Sequence, residues 1–463
     1  MINSNESTNT ATILMDPPGP EPGSDTLRML PKLRKDPIGF FSDMSRKYGG
    51  MVRIMIPQQK IYLVSEPEYV QHILQRNQRN FLKGESVDAA RPLIGNGLAS
   101  SDGDFWLRQR RLMQPAFHQK RLKKLVPIMT DTAGEFFQYW EPNIKNGEPL
   151  ELTSEMMKLT LQVIVKTMFS SDVSEEAETI GQAFVDVMGV INRRSWSNNP
   201  LPDWLPTPDN IRLWRALRKL DNQVYDLIEH RRNSGERKDD LLDMLLSARY
   251  DETGEGMDDK QLRDEVLTIF FAGHETTALT LTWLWTLLAE NTQVEARLRA
   301  EVDEVVGLRT PTMEDLPKMQ YTRMALDETL RLYPPAWVFV RAVHDEDEID
   351  GYRIPSDAFI ILSPYLTQRD PRIWEQPESF DPERFNPETP VERHKFAYYP
   401  FGGGPRKCIG QDFALMEAQL ILAMMIQRYG IKLLPGQTIE PQFFITLRPK
   451  GDVFIKVTDK LNS

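Results

Sequence analysis

The stretch 401-FGGGPRKCIG-410 decides how the rest of the chain is read. Cys408 is the only cysteine among 463 residues, and it stands shortly after three consecutive glycines. The pattern IGQDFALMEAQLILAMMIQRY opens immediately after it and predicts a helix over 409–429. Unpaired backbone N–H groups and a partial positive charge at such an N-terminus favour thiolate over thiol. Arg406 and Lys407 push the same way. Gly402, Gly403 and Gly404 remove side chains from the approach, and Gly410 again leaves room, so backbone can pack against something flat and bulky. Two plainer readings stand beside this one. A buried structural cysteine could follow a glycine turn, and the glycines could bind phosphate, although the Lys-Ser/Thr that a phosphate loop needs is missing.

Composition narrows the field. One cysteine excludes an intrachain disulfide framework and any multi-cysteine zinc or iron–sulfur site, and it fits a reducing, cytoplasmic compartment. Hydrophobic residues at 40% and charged residues at 27% are ordinary for a globular chain with a large core. A net charge of −11 argues against nucleic acid as the main partner. The N-terminus has no apolar run suited to a signal peptide or membrane anchor, so residues 1–35 read as a polar, Pro/Gly-rich lead-in. The apolar stretch 266–289 carries His274 and Glu275, which are costly inside a bilayer, and reads as a long buried helix with a functional kink.

At roughly 150 residues per domain the length admits about three, yet no flexible linker divides the chain. A short helix at about 37–48 leads into two strands around Pro57-Gln58-Gln59. Helical periodicity then dominates from about 103 to 333, ending at Pro334-Pro335. Residues up to about 400 are strand- and loop-rich, and hairpins are predicted at the C-terminus. The expectation is a single, mainly α domain over 36–463 with a smaller β-rich region.

A thiolate held under a planar group is how a haem with an axial cysteine is bound. The decisive stretch matches F-x-x-G-x-R-x-C-x-G, and on it the chain resembles the cytochrome P-450 superfamily of haem-thiolate monooxygenases, soluble bacterial type. Further motifs follow the family's order. DETLRLYPP contains E-x-x-R as Glu328 and Arg331, FDPERF carries Arg384, and AGHETT at 272–277 resembles the oxygen-activating motif. The resemblance covers about residues 36–460 and implies the family's triangular helical prism. It implies haem b on Cys408, with Phe401 and Gly410 in the same loop, and a buried charge triad of Glu328, Arg331 and Arg384. Gln368 stands where many relatives carry histidine, which puts one local contact in doubt.

The resemblance also implies roles for other residues. Ile269, Ala272, Gly273, Thr276 and Thr280 share one helix face by their spacing. Small residues at 272 and 273 leave space for dioxygen, Thr276 is the residue to hydrogen-bond it, and Glu275 is next in line as proton relay. A local bulge beside Gly273 would admit water. Trp106, Arg110, Arg341 and Arg406 match positions that contact haem propionates. Phe270, Ala272, Trp337, Phe339, Phe443 and Phe444 are candidate pocket residues for a fatty acid, terpenoid or steroid, though each aromatic serves equally as core. Electrons are expected from a separate ferredoxin or flavodoxin reductase system, docking on the basic run Lys120, Arg121, Lys123 and Lys124, with the enzyme a monomer. A peroxide-using or rearranging haem-thiolate enzyme is the second reading, although such relatives often lack the acid–alcohol pair. A haem gas sensor is the third; it predicts no organised proton path and usually a separate output domain.

Overall fold

The structure, a computed structural model, describes residues 14–459 apart from 22, 24–28, 30, 34, 57–58, 171–182, 192–203 and 251–252. Five helices position the site: α1 (Gly103–Met113), α2 (Leu152–Phe169), α3 (Asp259–Glu290), α4 (Gln320–Leu332) and α5 (Gln411–Arg428). A helix that is apolar on all sides must be buried. Among residues 262–288 of α3, only Phe271, Ala272, Gly273 and Thr276 are not buried. Asp258 starts α3 by accepting the Gln261 N–H. The helix packs against α2, α4 and α5. It runs as continuous α-helix, so the expected bulge beside Gly273 is not formed.

The principal sheet has five strands: β1 (Met51–Ile56), β2 (Gln59–Val64), β3 (Phe81–Leu82), β4 (Phe339–Val343) and β5 (Phe359–Leu362), in the order β1-β2-β5-β4-β3. β2 and β5 run parallel, with Ile61 opposite Phe359, and the other pairs are antiparallel. The register Leu82↔Ala342 sets Lys83 close to Arg341, two residues the sequence holds far apart. A hairpin of β6 (Pro441–Phe443) and β7 (Leu447–Pro449) lies against α3, where the Trp283 indole donates to the Leu447 carbonyl at 3.2 Å. The turn expected between β1 and β2 falls at residues 57–58, outside the described set.

The N-terminal lead-in is no loose tail where it is described. Met15 bridges Tyr352, its N–H donating to Gly351 O at 3.0 Å and its carbonyl accepting from Arg353 at 2.9 Å. Arg53 N donates to Pro18 O at 2.8 Å, and Arg53 also pairs with Asp16 at 2.5 Å. Gly19 sits so near β1 that a Cβ there would lie 1.9 Å from Arg53 O.

α4 carries two members of the charge triad, Glu328 and Arg331, and ends at Leu332, before the double proline; Arg384 comes from the short turn Pro382–Phe385. Arg331 donates Nε and Nη2 to the two oxygens of Glu328 at 2.6 and 2.8 Å, and both side chains are fully buried. Arg384 Nε stands 3.4 Å from Glu328 Oε1. The remaining Arg331 donors reach the carbonyls of Gln368, Pro377 and Ser379. Gln368 is fully used: its amide donates to the Leu330 and Arg331 carbonyls, and its Oε1 accepts from Tyr399 N at 2.9 Å.

Candidate active site

Cys408 N–H donates to Phe401 O at 2.9 Å, which folds the glycine-rich segment into a closed loop. α5 starts at Gln411 with Gly410 as its N-cap residue, so Cys408 precedes the helix by three residues and does not open it. Its side chain keeps accessible surface in an interior crevice. The protein walls around it raise the thiol above its usual range. The Gly410 N–H bond to sulfur and the Arg110 and Lys407 charges pull the other way, and burial wins. The expectation that helix and neighbours alone favour thiolate is therefore corrected. Arg406 is not the cation at the sulfur either; it turns to Asp102 at 2.6 Å and lies 4.6 Å over the Trp106 ring.

The glycines serve two ends. Gly404 has φ +63°, and a Cβ on it would lie 1.9 Å from Leu74 O. A Cβ on Gly403 would lie 2.2 Å from the Phe396 ring. These two positions are small because protein packs against them. Beside Cys408, Gly410 has nothing within 4 Å of a built Cβ and opens on free space, as a cradle for a bulky group requires.

α3 packs against α5, the helix that follows the cysteine loop. The accessible gap at Phe271, Ala272, Gly273 and Thr276 interrupts an otherwise buried helix. Thr276 Oγ1 donates to Ala272 O at 2.7 Å, leaving its lone pairs free. A Cβ on Gly273 would meet Ile164 Cδ1 at 3.3 Å, so this glycine faces α2, and Ala272 is the small accessible residue. Ile269 and Thr280, expected on the same open face, are buried. His274 also faces α2: Nε2–H donates to Met157 O at 3.0 Å, and burial pushes the ring down to about 4, so it is neutral near pH 7.

Glu275 departs from its expected role. Its buried carboxylate points to the β6–β7 hairpin, where Oε1 accepts from Thr446 Oγ1 at 2.5 Å and from Arg448 Nη2 at 2.6 Å. Held there, it is not a free acid beside Thr276.

A second feature lies beside the loop. Lys83, Arg341 and Arg406 cluster around Asp102, with Glu265 also within electrostatic reach of Lys83. Burial, with repulsion from Arg406 and Arg341, pulls Lys83 down to about 7. Burial and Arg406 pull Arg341 down to about 10. Lys83 Nζ donates to the carbonyls of Leu98 and Ser101, and Arg341 Nη1 to that of Val340, so neither buried cation is bonded to an anion. This surplus of positive charge calls for carboxylates of a guest. Arg110 is half-buried on α1, one turn beyond the buried Trp106.

The apolar candidates divide. Phe270 stacks on Phe169 at 5.7 Å, and Trp337 is buried with its indole donating to Phe444 O at 2.8 Å. Both belong to the core, which corrects their assignment to the pocket. Phe443 packs against Trp337 and Tyr365 at 5.0 and 5.3 Å. Ala272, Phe339 and Phe444 keep accessible surface. The residues present fit a haem: a lone accessible thiol, space at Gly410, a small-residue gap in α3, and cations short of anions. Lys83, Asp102, Thr446 and Arg448 escaped the sequence reading. Only strand register and the hairpin contact bring them to the site, and neither leaves a short-range signal.

Comparisons with known proteins agree with this geometry. The family described as Cytochrome P450 matches residues 17–456. Cyclooctatin synthase of Streptomyces melanosporofaciens is 36% identical over 412 residues, covering 89% of each chain. Cyclooctat-9-en-7-ol 5-monooxygenase of the same organism is 37% identical, covering 88% of each. Pentalenene oxygenase of Streptomyces avermitilis is 35% identical, covering 90% of this chain and 91% of that relative. The crystal structure of the cytochrome P450DA heme domain superposes with a TM-score of 0.87 at 27% identity, covering 97% of this chain and 98% of that one.

Proposed function

Because the chain belongs to the cytochrome P450 family, it is a haem-thiolate monooxygenase, and we propose that it oxygenates a terpenoid, with Cys408 as the axial ligand. The observation that carries the site assignment is the lone cysteine, accessible and next to the open space at Gly410, on the loop that leads into α5. The substrate class is supported by the apolar character of Ala272, Phe339 and Phe444 and by relatives named for cyclooctatin and pentalenene chemistry. A spin-state screen of terpene hydrocarbons and alcohols, fatty acids and steroids tests the class. Terpenoids should shift the haem band; a shift by fatty acids or steroids with none by terpenoids would overturn it.

Bound haem with a thiolate ligand supplies the oxidising chemistry that carries one oxygen atom from dioxygen into the substrate. In this assignment Arg341, Arg406 and Lys83 neutralise the propionates, and Trp106 and Arg110 complete that side. Thr276 Oγ1, its proton engaged by Ala272 O, turns free lone pairs to the open gap and would accept a hydrogen bond from a protonated group there. Thr276→Ala should leave haem and substrate binding intact while product formed per reductant falls several-fold, the balance appearing as peroxide or water. Unchanged coupling would exclude Thr276 from proton delivery.

A redox partner delivers the electrons. The basic run that was expected to receive it is partly spent: Lys123 pairs with Glu314, and Lys124 with Asp239 at 2.8 Å. Among the described residues, Lys120 and Arg121 are exposed without a carboxylate in ion-pair reach. They are the attractive charges for an acidic ferredoxin or flavodoxin. Reversing both to glutamate should slow donor-driven reduction about tenfold or more at low salt and flatten its salt dependence, while dithionite reduction stays normal. Unaltered donor kinetics would leave the run a solvated surface.

A further inference from the structure

Glu275 precedes Thr276 on α3, yet its carboxylate is tied to residues far along the chain. Thr446 and Arg448 both donate to the same oxygen, Oε1. Arg448 makes this contact through Nη2 alone; its buried Nε has no partner. A one-pronged pair is easier to open than the bidentate Glu328–Arg331 pair. The other face of the Arg448 guanidinium lies 5.2 Å over the Phe444 ring.

The hairpin's backbone is anchored, and its side chains are less so. Phe444 O accepts from Trp337, Leu447 N donates to Pro335 O at 2.9 Å, and Leu447 O accepts from Trp283. Phe444 opens the bend that joins β6 to β7, and Arg448 is the middle residue of β7, paired with Gln442. The Phe444 ring is half-buried and lies outside the hydrophobic clusters that hold Phe443 and Ile445. The half-buried ring lies under a guanidinium that holds the carboxylate through a single nitrogen, so displacement of the ring is passed on to that carboxylate.

We propose that Arg448 and Thr446 are positioning residues that hold Glu275 on the hairpin, and that Phe444 makes this hold responsive to a guest in the apolar cavity. An empty cavity keeps the carboxylate turned away from the gap at Thr276. A guest that displaces the Phe444 ring shifts Arg448 and frees the carboxylate, so proton delivery waits for substrate. This rests on the monooxygenase reading of the same site.

Linkage gives the test: if a guest must open the ion pair, removing the pair must tighten the guest, and only while Phe444 is present. The probe is 4-phenylimidazole, whose binding is read from the haem spectrum without turnover. Dissociation constants are measured for the wild-type holoenzyme, Arg448→Gln, Phe444→Ala and the double variant. Arg448→Gln should bind the probe roughly fivefold or more tightly than wild type, with no gain when Phe444→Ala is already in place. Arg448→Lys, which keeps the charge, should restore wild-type affinity and guards against a merely misfolded glutamine variant. Should that glutamine variant not fold, Glu275→Gln replaces it in the same cycle, with the same expected gain. Unchanged affinity, weaker binding, or an equal gain in both Phe444 backgrounds would overturn the proposal. A protein lacking the imidazole spectral change altogether would instead count against the haem site itself.

Discussion

Cys408→His is expected to erase the red-shifted Soret band of the reduced carbonyl complex and to bring monooxygenation below detection. The sulfur is the only one of its kind in the chain, so no other thiolate can take its place. The crevice by itself raises the thiol, and ionisation at neutral pH therefore has to come from the metal it binds. Histidine offers a neutral nitrogen in place of an anionic, electron-rich sulfur, and the push toward O–O cleavage goes with the charge. Carbonyl spectra of the two proteins, at equal haem content, provide the check. A variant that keeps the red-shifted band would show that the ligand assignment is wrong.

Arg331→Ala should be nearly as damaging, through the fold and not the chemistry. It would strand the fully buried Glu328 carboxylate and take the donor from three carbonyls at 368, 377 and 379. Breaking such a pair from one side costs about 3–5 kcal/mol, a large share of the about 5–15 kcal/mol that holds ordinary domains together. The variant is expected to accumulate poorly, retain little haem and lose it at a lower temperature than wild type. Haem content after purification and the midpoint of thermal haem loss decide the matter. Normal haem content with an unshifted midpoint would show that the pair is dispensable.

Much of this could be read from the chain because the relevant signals are local. The cysteine loop, the E-x-x-R on α4 and the boundaries of α3 each depend on residues within a few turns of one another. What escaped depends on contacts over long separations. Glu275 looked like a free acid because nothing near it in sequence announces Arg448, which reaches it from 173 residues away. Lys83 drew no notice in the sequence, and only the pairing of β3 with β4 sets it beside Arg341. Phe270 and Trp337 illustrate a different limit: apolar periodicity identifies an inward face but does not separate core from cavity wall. The start of α5 moved by two residues, to Gln411, and that shift took the helix terminus away from the sulfur.

The Met15–Tyr352 bridge has a consequence for how the chain is made. Ribosomes add roughly 5–20 residues per second, so Met15 emerges long before the segment that will pair with it. With 352 − 15 = 337 residues between the partners, the early strand waits roughly 17 to 70 s for its edge, at that rate of synthesis. Cys408 is later still. Haem capture and closure of the N-terminal strap therefore both belong to the late stage of translation, and a chain that stops before residue 352 would carry the Met15 segment without the strand it closes on.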